Sequence, residues 1–266
     1  MTNIHSTAII HPSARLHDRV EIGPYTIIGE DVEIGSNTYV GPHCVIEFST
    51  IGRNNHITAS SFIGTPPQDF KYRGEKTSLV IGDNNIIREG VSLHRGSTAT
   101  GVTVIGSNCM FMAYAHIGHD CRIGNGVIMA NSAEVAGHVE IGNNAFISSL
   151  IGIHQFARIG SLVMLGAGSM VSLDIPPFCT AQGDRAKLVG LNIIGLRRAG
   201  ISGESIKSIK HVYKTLFLSN LSLKDAFTEL RDSNLSHEAE SMVHFCEDSK
   251  RGIARPRNKS KTDFNE

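Results

Sequence analysis

The sequence predicts a mainly β protein, in which a parallel β-helix of hexapeptide repeats is followed by a small C-terminal α-helical domain. Large aliphatic residues recur at every sixth position through the first two thirds of the chain. Glycine is abundant with 27 residues, aromatic residues make up only 6% and tryptophan is absent, a composition unusual for a helical bundle. Beyond about Lys187 the six-residue period gives way to helical spacing.

The six-residue period defines the predicted β-helix. Its aliphatic positions fall into four runs: Ile4 to Ile46, Ile51 to Ile63, Ile81 to Leu93 and Ile105 to Val171. A one-residue slip separates the first two runs, and no polar residue interrupts the last. In such a helix each hexad forms one flat side and three hexads close one coil of about eighteen residues, with the aliphatic side chain pointing inward. Hexad helices of known proteins are left-handed, and we expect the same hand here.

Two gaps in the series predict loops that leave the β-helix, at about 64–80 and 94–104. The first has the length of one whole coil, yet Asp69 and Glu75 occupy the positions that should point inward. The second is a smaller excursion. Because long loops on a rigid scaffold tend to carry function, both are candidate parts of a site.

The chain divides into three predicted regions: a β-helix at 1–186, a helical domain at 187–255 and a disordered tail at 256–266. Pro176 and Pro177 interrupt the repeats. Serine or asparagine residues that can cap helices predict four of them, beginning near Asn192, Ser202, Ser222 and Ser236, the last ending near Gly252. The tail is polar and contains Pro256.

Charge and cysteine content exclude several classes of function. Lys plus Arg total 25 against 25 Asp plus Glu, so no basic field for nucleic acid is expected. Five widely spaced cysteines without a Cys-x-x-Cys pair indicate neither a disulfide framework nor a zinc finger, which favours a reducing compartment. Neither a secretory leader nor a long apolar run is present, so we expect a cytoplasmic protein without a transmembrane segment.

Coil arithmetic gathers the histidines of the central repeats. Shifting His138 by one coil and His154 by two brings both beside His116 and His119, within a window of five residues that also holds Asp120. Gln155 falls into the same window. Neighbouring strands are separated by roughly 4.8 Å, so these side chains should form one patch about 10 Å tall.

Three interpretations of this patch remain open from the residues. It could be an ordinary polar face, a zinc site, or a general base whose tautomer is fixed by Asp120. Gln68, Asp69 and Lys71 of the first loop could belong to it or form a solvated turn. Arg197 and Arg198 could compensate a helix dipole or bind a diphosphate.

Several segments of the chain resemble the UDP-N-acetylglucosamine O-acyltransferases that open lipid A synthesis. In order and spacing these are GTPPQDFKYRGE, MAYAHIGHDC, AEVAGHV, IGIHQF, IPPFCTAQGD and LNIIGLRRAG. The similarity covers nearly the whole chain. It implies transfer of a (R)-3-hydroxyacyl chain from acyl carrier protein to the sugar 3-hydroxyl by a homotrimer, without a further cofactor or a metal.

The resemblance also implies roles for individual residues. His119 matches the general base, Asp120 the carboxylate that orients it, and Gly137 a backbone amide that stabilises the oxyanion. Ala167 matches the position that measures acyl length, which implies a donor of roughly 12 carbons. The positions that match the sugar, phosphate and nucleotide contacts are Gln68, Asp69, Lys71, His116, His138, His154, Gln155, Asn192 and Arg198.

Some alternatives stay open beside the resemblance. Ile194, Ala199 and Arg185 depart from the family pattern near the nucleotide. Some members of the family acylate a 3-amino sugar instead. The N-acyltransferase of the same pathway is a weaker match, because it has a uridine-binding domain before its hexads, whereas hexads begin here at Ile4. A carbonic-anhydrase-like metal protein or a non-catalytic trimeric scaffold is the alternative from another class.

Overall fold

The computed structural model describes residues 2–257 and consists of three long sheets that wrap into a left-handed parallel β-helix, followed by four helices. Sheet A contains β1 (Asn3–Ile4), β4 (Glu21–Ile22), β7 (Tyr39–Val40), β10 (His56–Ile57), β13 (Ile86–Ile87), β16 (Met110–Phe111), β19 (Ile128–Met129), β22 (Phe146–Ile147), β25 (Met164–Leu165), β27 (Cys179–Gln182) and β28 (Lys187–Leu191). Sheet B contains β2 (Ile9–Ile10), β5 (Ile27–Ile28), β8 (Val45–Ile46), β11 (Phe62–Thr65), β14 (Ser92–His94), β17 (His116–Ile117), β20 (Glu134–Val135), β23 (Gly152–Ile153) and β26 (Met170–Val171). Sheet C contains β3 (Arg15–Leu16), β6 (Glu33–Ile34), β9 (Ser49–Ile51), β12 (Ser78–Ile81), β15 (Val102–Ile105), β18 (Arg122–Ile123), β21 (Glu140–Ile141) and β24 (Arg158–Ile159).

The aliphatic residue of each hexad forms the core, as the period predicts. Ile28, Ile34 and Ile117 are fully buried and stack on their equivalents in the coils above and below. Burying one such side chain contributes about 2 kcal/mol, so the repeated stack is the main source of stability. Ile4 of the first described coil is 44% exposed, because among the described residues it has a stacking neighbour on one side only.

All three irregularities of the repeat lie at one corner, where the chain passes from sheet B to sheet C, which we call the B–C corner. The one-residue slip falls at 47–48, and the two insertions at 66–77 and 95–101, in three successive coils. Both loops are thus shorter than predicted, since β11, β12, β14 and β15 extend into the expected ranges. The first gap is not a whole coil: Ile63 lies in sheet B and Ile81 in sheet C, so it is one side plus an insertion.

The C-terminal region closes the end of the β-helix. The helices are α1 (Ile193–Arg198), α2 (Gly203–Phe217), α3 (Leu223–Arg231) and α4 (His237–Glu247), and their N-caps are the four residues that the sequence predicts. Helix α4 ends five residues before Gly252, because Asp248 caps it. Apolar side chains of α2 and α4, such as Ile209 and Met242, are fully buried and belong to the same apolar cluster as the inward residues of the last coils.

The sequence suggested that helical spacing begins at about Lys187, and this prediction is wrong. Residues 187–191 form β28, which pairs antiparallel with β27 and extends sheet A. The alternation of buried Leu188 with exposed Val189 is that of a strand with one face covered. The turn between these strands contains the predicted boundary at 186–187, and the division into domains stays a prediction.

The predicted disordered tail begins too early. Pro256 forms a β-bridge with Leu188, and the amide of Arg257 donates to the carbonyl of Leu188 at 3.3 Å, so these two residues are paired with β28. The rest of the predicted tail, 258–266, lies outside the described residues. Within 2–257 every helix is too short or too polar to cross a bilayer.

Candidate active site

The site is built at the B–C corner by successive coils. Three ordinary corners carry its histidines: 118–121 follows β17, 136–139 follows β20 and 154–157 follows β23. The two insertions belong to the coils on the N-terminal side of these corners. The window that coil arithmetic predicted is therefore a continuous column of side chains, with both loops beside it.

A histidine and a carboxylate form the centre of the column. Nδ1 of His119 lies 2.6 Å from Oδ2 of Asp120. An ionised carboxylate only accepts hydrogen bonds, so Nδ1 carries the proton and Nε2 is left as the basic nitrogen. The His119 side chain is 14% exposed and that of Asp120 is fully buried, so the imidazole separates the carboxylate from solvent.

Asp120 is held in its ionised form. Burial by itself would raise the pKa of this carboxyl, but hydrogen bonds from Ser97, Thr100 and His119 lower it to about 2. Sequence reasoning missed Ser97 and Thr100, which lie in the second insertion. The adjacent thiol of Cys121 has a pKa raised to about 12, mainly by burial, so it is not a nucleophile at neutral pH.

His138 stands one coil above this pair. Its ring is edge-on to that of His119, with centroids 5.1 Å apart, and its Nε2 lies 3.7 Å from Oδ2 of Asp120. Phe156 of the next coil stacks on the other side at 4.5 Å. Burial lowers the pKa of His138, while the charge of Asp120 opposes that shift. A neutral His138 is suited to hydrogen bonding with a substrate.

A cleft of about 520 Å³ opens over the column along the outer face of sheet B. The predicted site residues on its walls are Gln68, His116, His119, Gly137, His154 and Gln155. His94 and Arg185 line it as well.

His94 was not predicted; burial and the neighbouring His116 and His119 lower its pKa to about 4, so it is neutral. His116 is also buried enough to have a lowered pKa, and its Nδ1 is 2.7 Å from Oγ of Ser92.

The first insertion approaches the cleft through Gln68, which lines it. Asp69 is half-buried and contributes to the field at His138, whereas Lys71 is exposed and does not line the cleft. The root of this loop is fixed by Arg95, which donates to the carbonyl of Gly64 at 2.7 Å and to the hydroxyl of Tyr72 at 3.0 Å. Arg95 is only 6% exposed, and no sequence pattern had singled it out.

Besides Lys71, the cleft lining lacks His138, which borders a neighbouring cavity, and three further predicted residues lie away from the cleft of a single chain. Asn192 caps α1 and donates to the carbonyl of Leu162 at 2.9 Å, so its amide is already used in the fold. Arg198 is exposed at the end of α1. Ala167 is exposed at the corner between sheets A and B, at the opposite edge of sheet B from His119. Their roles stay predictions.

Arg251, which was not predicted, donates to Nδ1 of His154 at 2.8 Å.

The column also has the donor spacing of a metal site. Ligand atoms of His119, Asp120 and His138 all lie within 4.8 Å of one another. The 2.6 Å separation of Nδ1 and Oδ2 is that of a charge-assisted hydrogen bond, and tetrahedral zinc ligands would stand farther apart. The geometry therefore fits a histidine–carboxylate pair better than a preformed zinc site.

A larger cavity of about 750 Å³ lies between sheet C and α4. Its charged walls are partly neutralised internally, since Nε of Arg158 lies 3.6 Å from Glu140 and its guanidinium covers the ring of Phe245 at 4.3 Å. It contains no arrangement comparable to His119 and Asp120. The chemistry of the described residues is therefore concentrated at the B–C corner.

Comparison with known proteins agrees with this architecture. Residues 174–254 match the second domain of the UDP-N-acetylglucosamine O-acyltransferases, and residues 13–48 and 103–137 match bacterial transferase hexapeptide repeats. Acyl-[acyl-carrier-protein]–UDP-N-acetylglucosamine O-acyltransferases from Aliarcobacter butzleri and Thermodesulfovibrio yellowstonii are 49% and 50% identical, over 95% and 96% of this chain and 98% and 100% of theirs. The solved UDP-N-acetylglucosamine acyltransferase of Francisella novicida superposes with a TM-score of 0.93 at 39% identity, covering 96% of this chain and 95% of that one. This chain belongs to the family of acyl-[acyl-carrier-protein]–UDP-N-acetylglucosamine O-acyltransferases.

Proposed function

We propose that this protein transfers a (R)-3-hydroxyacyl chain from acyl carrier protein to the 3-hydroxyl of UDP-N-acetylglucosamine, the first step of lipid A biosynthesis. The observation that carries the proposal is the 2.6 Å pairing of Nδ1 of His119 with the buried carboxylate of Asp120, beside a cleft. This pairing leaves Nε2 basic and supports the imidazolium that forms when Nε2 takes a proton. Family membership identifies the substrates that such a base would serve.

The proposed reaction proceeds by direct acyl transfer. Nε2 of His119 removes the proton of the sugar 3-hydroxyl as that oxygen attacks the thioester carbonyl. The carbonyl oxygen becomes an oxyanion, which the amide of Gly137 stabilises. Among the described residues no acceptor engages this amide, which supports its role. Collapse of the intermediate breaks the carbon–sulfur bond, and the imidazolium returns its proton to the departing thiolate. This scheme requires no further cofactor.

Substrate binding is assigned to the surrounding side chains. We infer that His116, His138, His154 and Gln155 contact the sugar and its phosphates, since all stand on the same column as His119. Gln68 and Asp69 approach from the first insertion, and we assign the exposed Lys71 of the same insertion to the phosphates. We assign Asn192 and Arg198 to the nucleotide of a site shared with a neighbouring subunit. Arg185, which lines the cleft, is a further cation available to a phosphate.

A homotrimer is part of this proposal, and the distribution of apolar surface supports it. Exposed apolar residues lie on the outer faces of sheets A and B, as in Ile86 and Phe62, and at the corner between these sheets, as in Tyr114 and Leu150. Sheet C instead carries charged pairs, such as Arg15 with Glu33 at 2.8 Å. Two apolar faces that meet at one apolar edge are what a protomer needs around a threefold axis.

We infer that acyl carrier protein docks near the helical end, in the cytosol. Arg197, Arg198, Lys207, Lys210 and Lys214 give this end a local positive charge in a chain without net charge. An acidic partner would therefore associate faster at low ionic strength. All five cysteines are free and buried, as is typical of a reducing compartment.

The test is an acyl-transfer assay with purified protein, acyl carrier protein loaded with 3-hydroxyacyl chains and UDP-N-acetylglucosamine. The proposal expects a 3-O-acylated product, a trimeric mass by light scattering and a rate that falls as salt is raised. The 3-amino analogue of the sugar is offered in parallel, because either acceptor fits the same base. Absence of transfer to both sugars, or stoichiometric metal on the purified protein with hydration of CO₂, would contradict the proposal.

A further inference from the structure

We propose that the second insertion, residues 95–101, is a clamp that fixes the carboxylate of Asp120 on Nδ1 of His119, with Ser97 and Thr100 as positioning residues. The inference rests on the proposed function and extends it to residues to which no role had been given. It also explains why the coil beneath His119 has a longer corner than the coils above it.

The clamp surrounds one carboxylate with donors. Oδ1 of Asp120 accepts from the amides of Ser97 at 3.0 Å and Thr100 at 3.2 Å, and from the hydroxyl of Thr100. Oδ2 accepts from the hydroxyl of Ser97 at 2.7 Å and from His119. Four of these five donors come from the insertion. A buried carboxylate with this many donors keeps its charge and its orientation.

The backbone of the insertion is shaped to present these donors. The amide of Gly101 donates to the carbonyl of Ser97 at 2.7 Å, which closes a tight turn around the two hydroxyls. Gly101 has a φ of +75°, a conformation that suits glycine. A Cβ at Gly96 would lie 2.3 Å from the amide nitrogen of Val102, so only glycine permits this close approach. The turn is joined to β12 by the amide of Gly96, which donates to the carbonyl of Ser78 at 3.0 Å.

Removal of the clamp should affect the base rather than substrate binding. Without the donors Asp120 would gain rotational freedom, and its charged form would be less favoured because the group is buried. Protonated Asp120 would accept the hydrogen bond that fixes Nδ1–H more weakly, because the bond would lose its charge assistance. The site would then hold a smaller fraction of His119 in the tautomer with a basic Nε2. Ser97 and Thr100 do not line the cleft, so the sugar nucleotide would bind as before.

The experiment compares Ser97→Ala, Thr100→Val and the double variant with wild type in the acyl-transfer assay. We expect kcat to fall about 5- to 20-fold in each single variant and at least about 50-fold in the double variant, with KM for UDP-N-acetylglucosamine within about 2-fold. The acid limb of the kcat–pH profile should move to higher pH, since loss of donors raises the pKa of Asp120. The downfield proton resonance of the Nδ1–H bond should weaken or vanish.

Two further variants separate positioning from folding. Thr100→Ser retains the hydroxyl and should keep kcat within about 3-fold of wild type. Thr98→Ala changes an exposed residue of the same insertion and should leave kcat and the pH profile unchanged. If the double variant fails to fold, the contrast of Thr100→Val with Thr100→Ser carries the test.

Two negative outcomes are distinguishable. An inactive wild-type protein would overturn the proposed function. The clamp alone would be overturned if the wild type is active and the folded clamp variants have the same kcat, pH profile and downfield resonance as the wild type.

Discussion

Gly137 and His119 are in direct contact across adjacent coils. A Cβ placed on Gly137 would lie 2.7 Å from both Cε1 and Nε2 of the His119 ring, closer than such atoms approach one another. Only glycine therefore allows the backbone at position 137 to stand against the nitrogen that is proposed to act as the base. This closeness is compatible with the proposed role of the Gly137 amide in stabilising an oxyanion.

We expect Gly137→Ala to lower kcat by about 100-fold or more, because the added methyl group must displace the imidazole or the corner. Removal of a single oxyanion donor or misplacement of a base has effects of that order. The matched control is Gly203→Ala, where a Cβ meets no atom within 4 Å. This control variant should retain full activity and should slightly stabilise helix α2, because alanine has a higher helix propensity than glycine. Equal kcat in the two variants would argue against the contact.

His119→Ala should lower the rate of acyl transfer by roughly 10²- to 10⁴-fold. The fold should be retained, because this side chain lines a cleft and fills no part of the apolar core. Circular dichroism and light scattering serve as the controls for folding and assembly. Turnover near that of wild type would show that another group removes the proton.

The buried His94 should make stability depend on pH. Its pKa falls from 6.5 to about 4 on folding, mainly through burial, so the unfolded chain binds the proton more tightly. The shift leaves stability unchanged above pH 6.5 and destabilises the folded state increasingly as the pH drops from 6.5 towards 4. At pH 5 the loss should be about 2 kcal/mol. In His94→Gln the denaturant midpoint should vary less between pH 7.5 and 5, and an unchanged pH dependence would contradict this assignment.

Arg95→Ala should release the first insertion from the β-helix. The variant leaves the carbonyl of Gly64 and the Tyr72 hydroxyl without their donor, and we expect a loss of about 2–4 kcal/mol in unfolding free energy. Trypsin should cleave faster at Lys71 or Arg73, and KM for the sugar nucleotide should rise about 10-fold, since Gln68 is displaced.

Two matched variants calibrate the effect of Arg95. Tyr72→Phe removes only the hydroxyl and should cost about 1 kcal/mol. Arg53→Ala breaks an exposed pair with Asp83 and should cost less than about 1 kcal/mol. If Arg95→Ala lowers the free energy of unfolding no more than Arg53→Ala does, the loop is anchored by other residues.

Ala167, which is exposed at the corner between sheets A and B, is expected to set the length of the acyl chain. Ala167→Gly should shift donor preference above 12 carbons and Ala167→Met below it, with about 1–3 kcal/mol of discrimination for each pair of methylenes at the pocket floor. The measurement is kcat/KM for donors of about 10 to 16 carbons. An identical ranking in all three proteins would place the floor at another residue.

The period of the sequence predicted the β-helix because every hexad repeats the same physical requirement. One buried aliphatic residue per side identified the coils, and coil arithmetic alone brought His116, His119, His138 and His154 onto one column. The helix caps were equally local: Ser202, Ser222 and Ser236 each accept the hydrogen bond from the third residue beyond.

The parts that sequence reasoning missed are those without a period. Ser97, Thr100 and Arg95 act from a loop whose path depends on tertiary contacts, so no spacing pointed to them. Strand β28 was missed because five residues are too few to distinguish strand alternation from helical spacing.

The confinement of both insertions to the B–C corner has a consequence for engineering. Each loop leaves one side of the β-helix and re-enters at the start of the next, so the coils that follow keep their inward residues whatever the length of the loop. The segment 66–77 is therefore an exchangeable cassette: a loop from a relative with another acceptor preference could be transplanted there. The stack of buried isoleucines would not need to be redesigned.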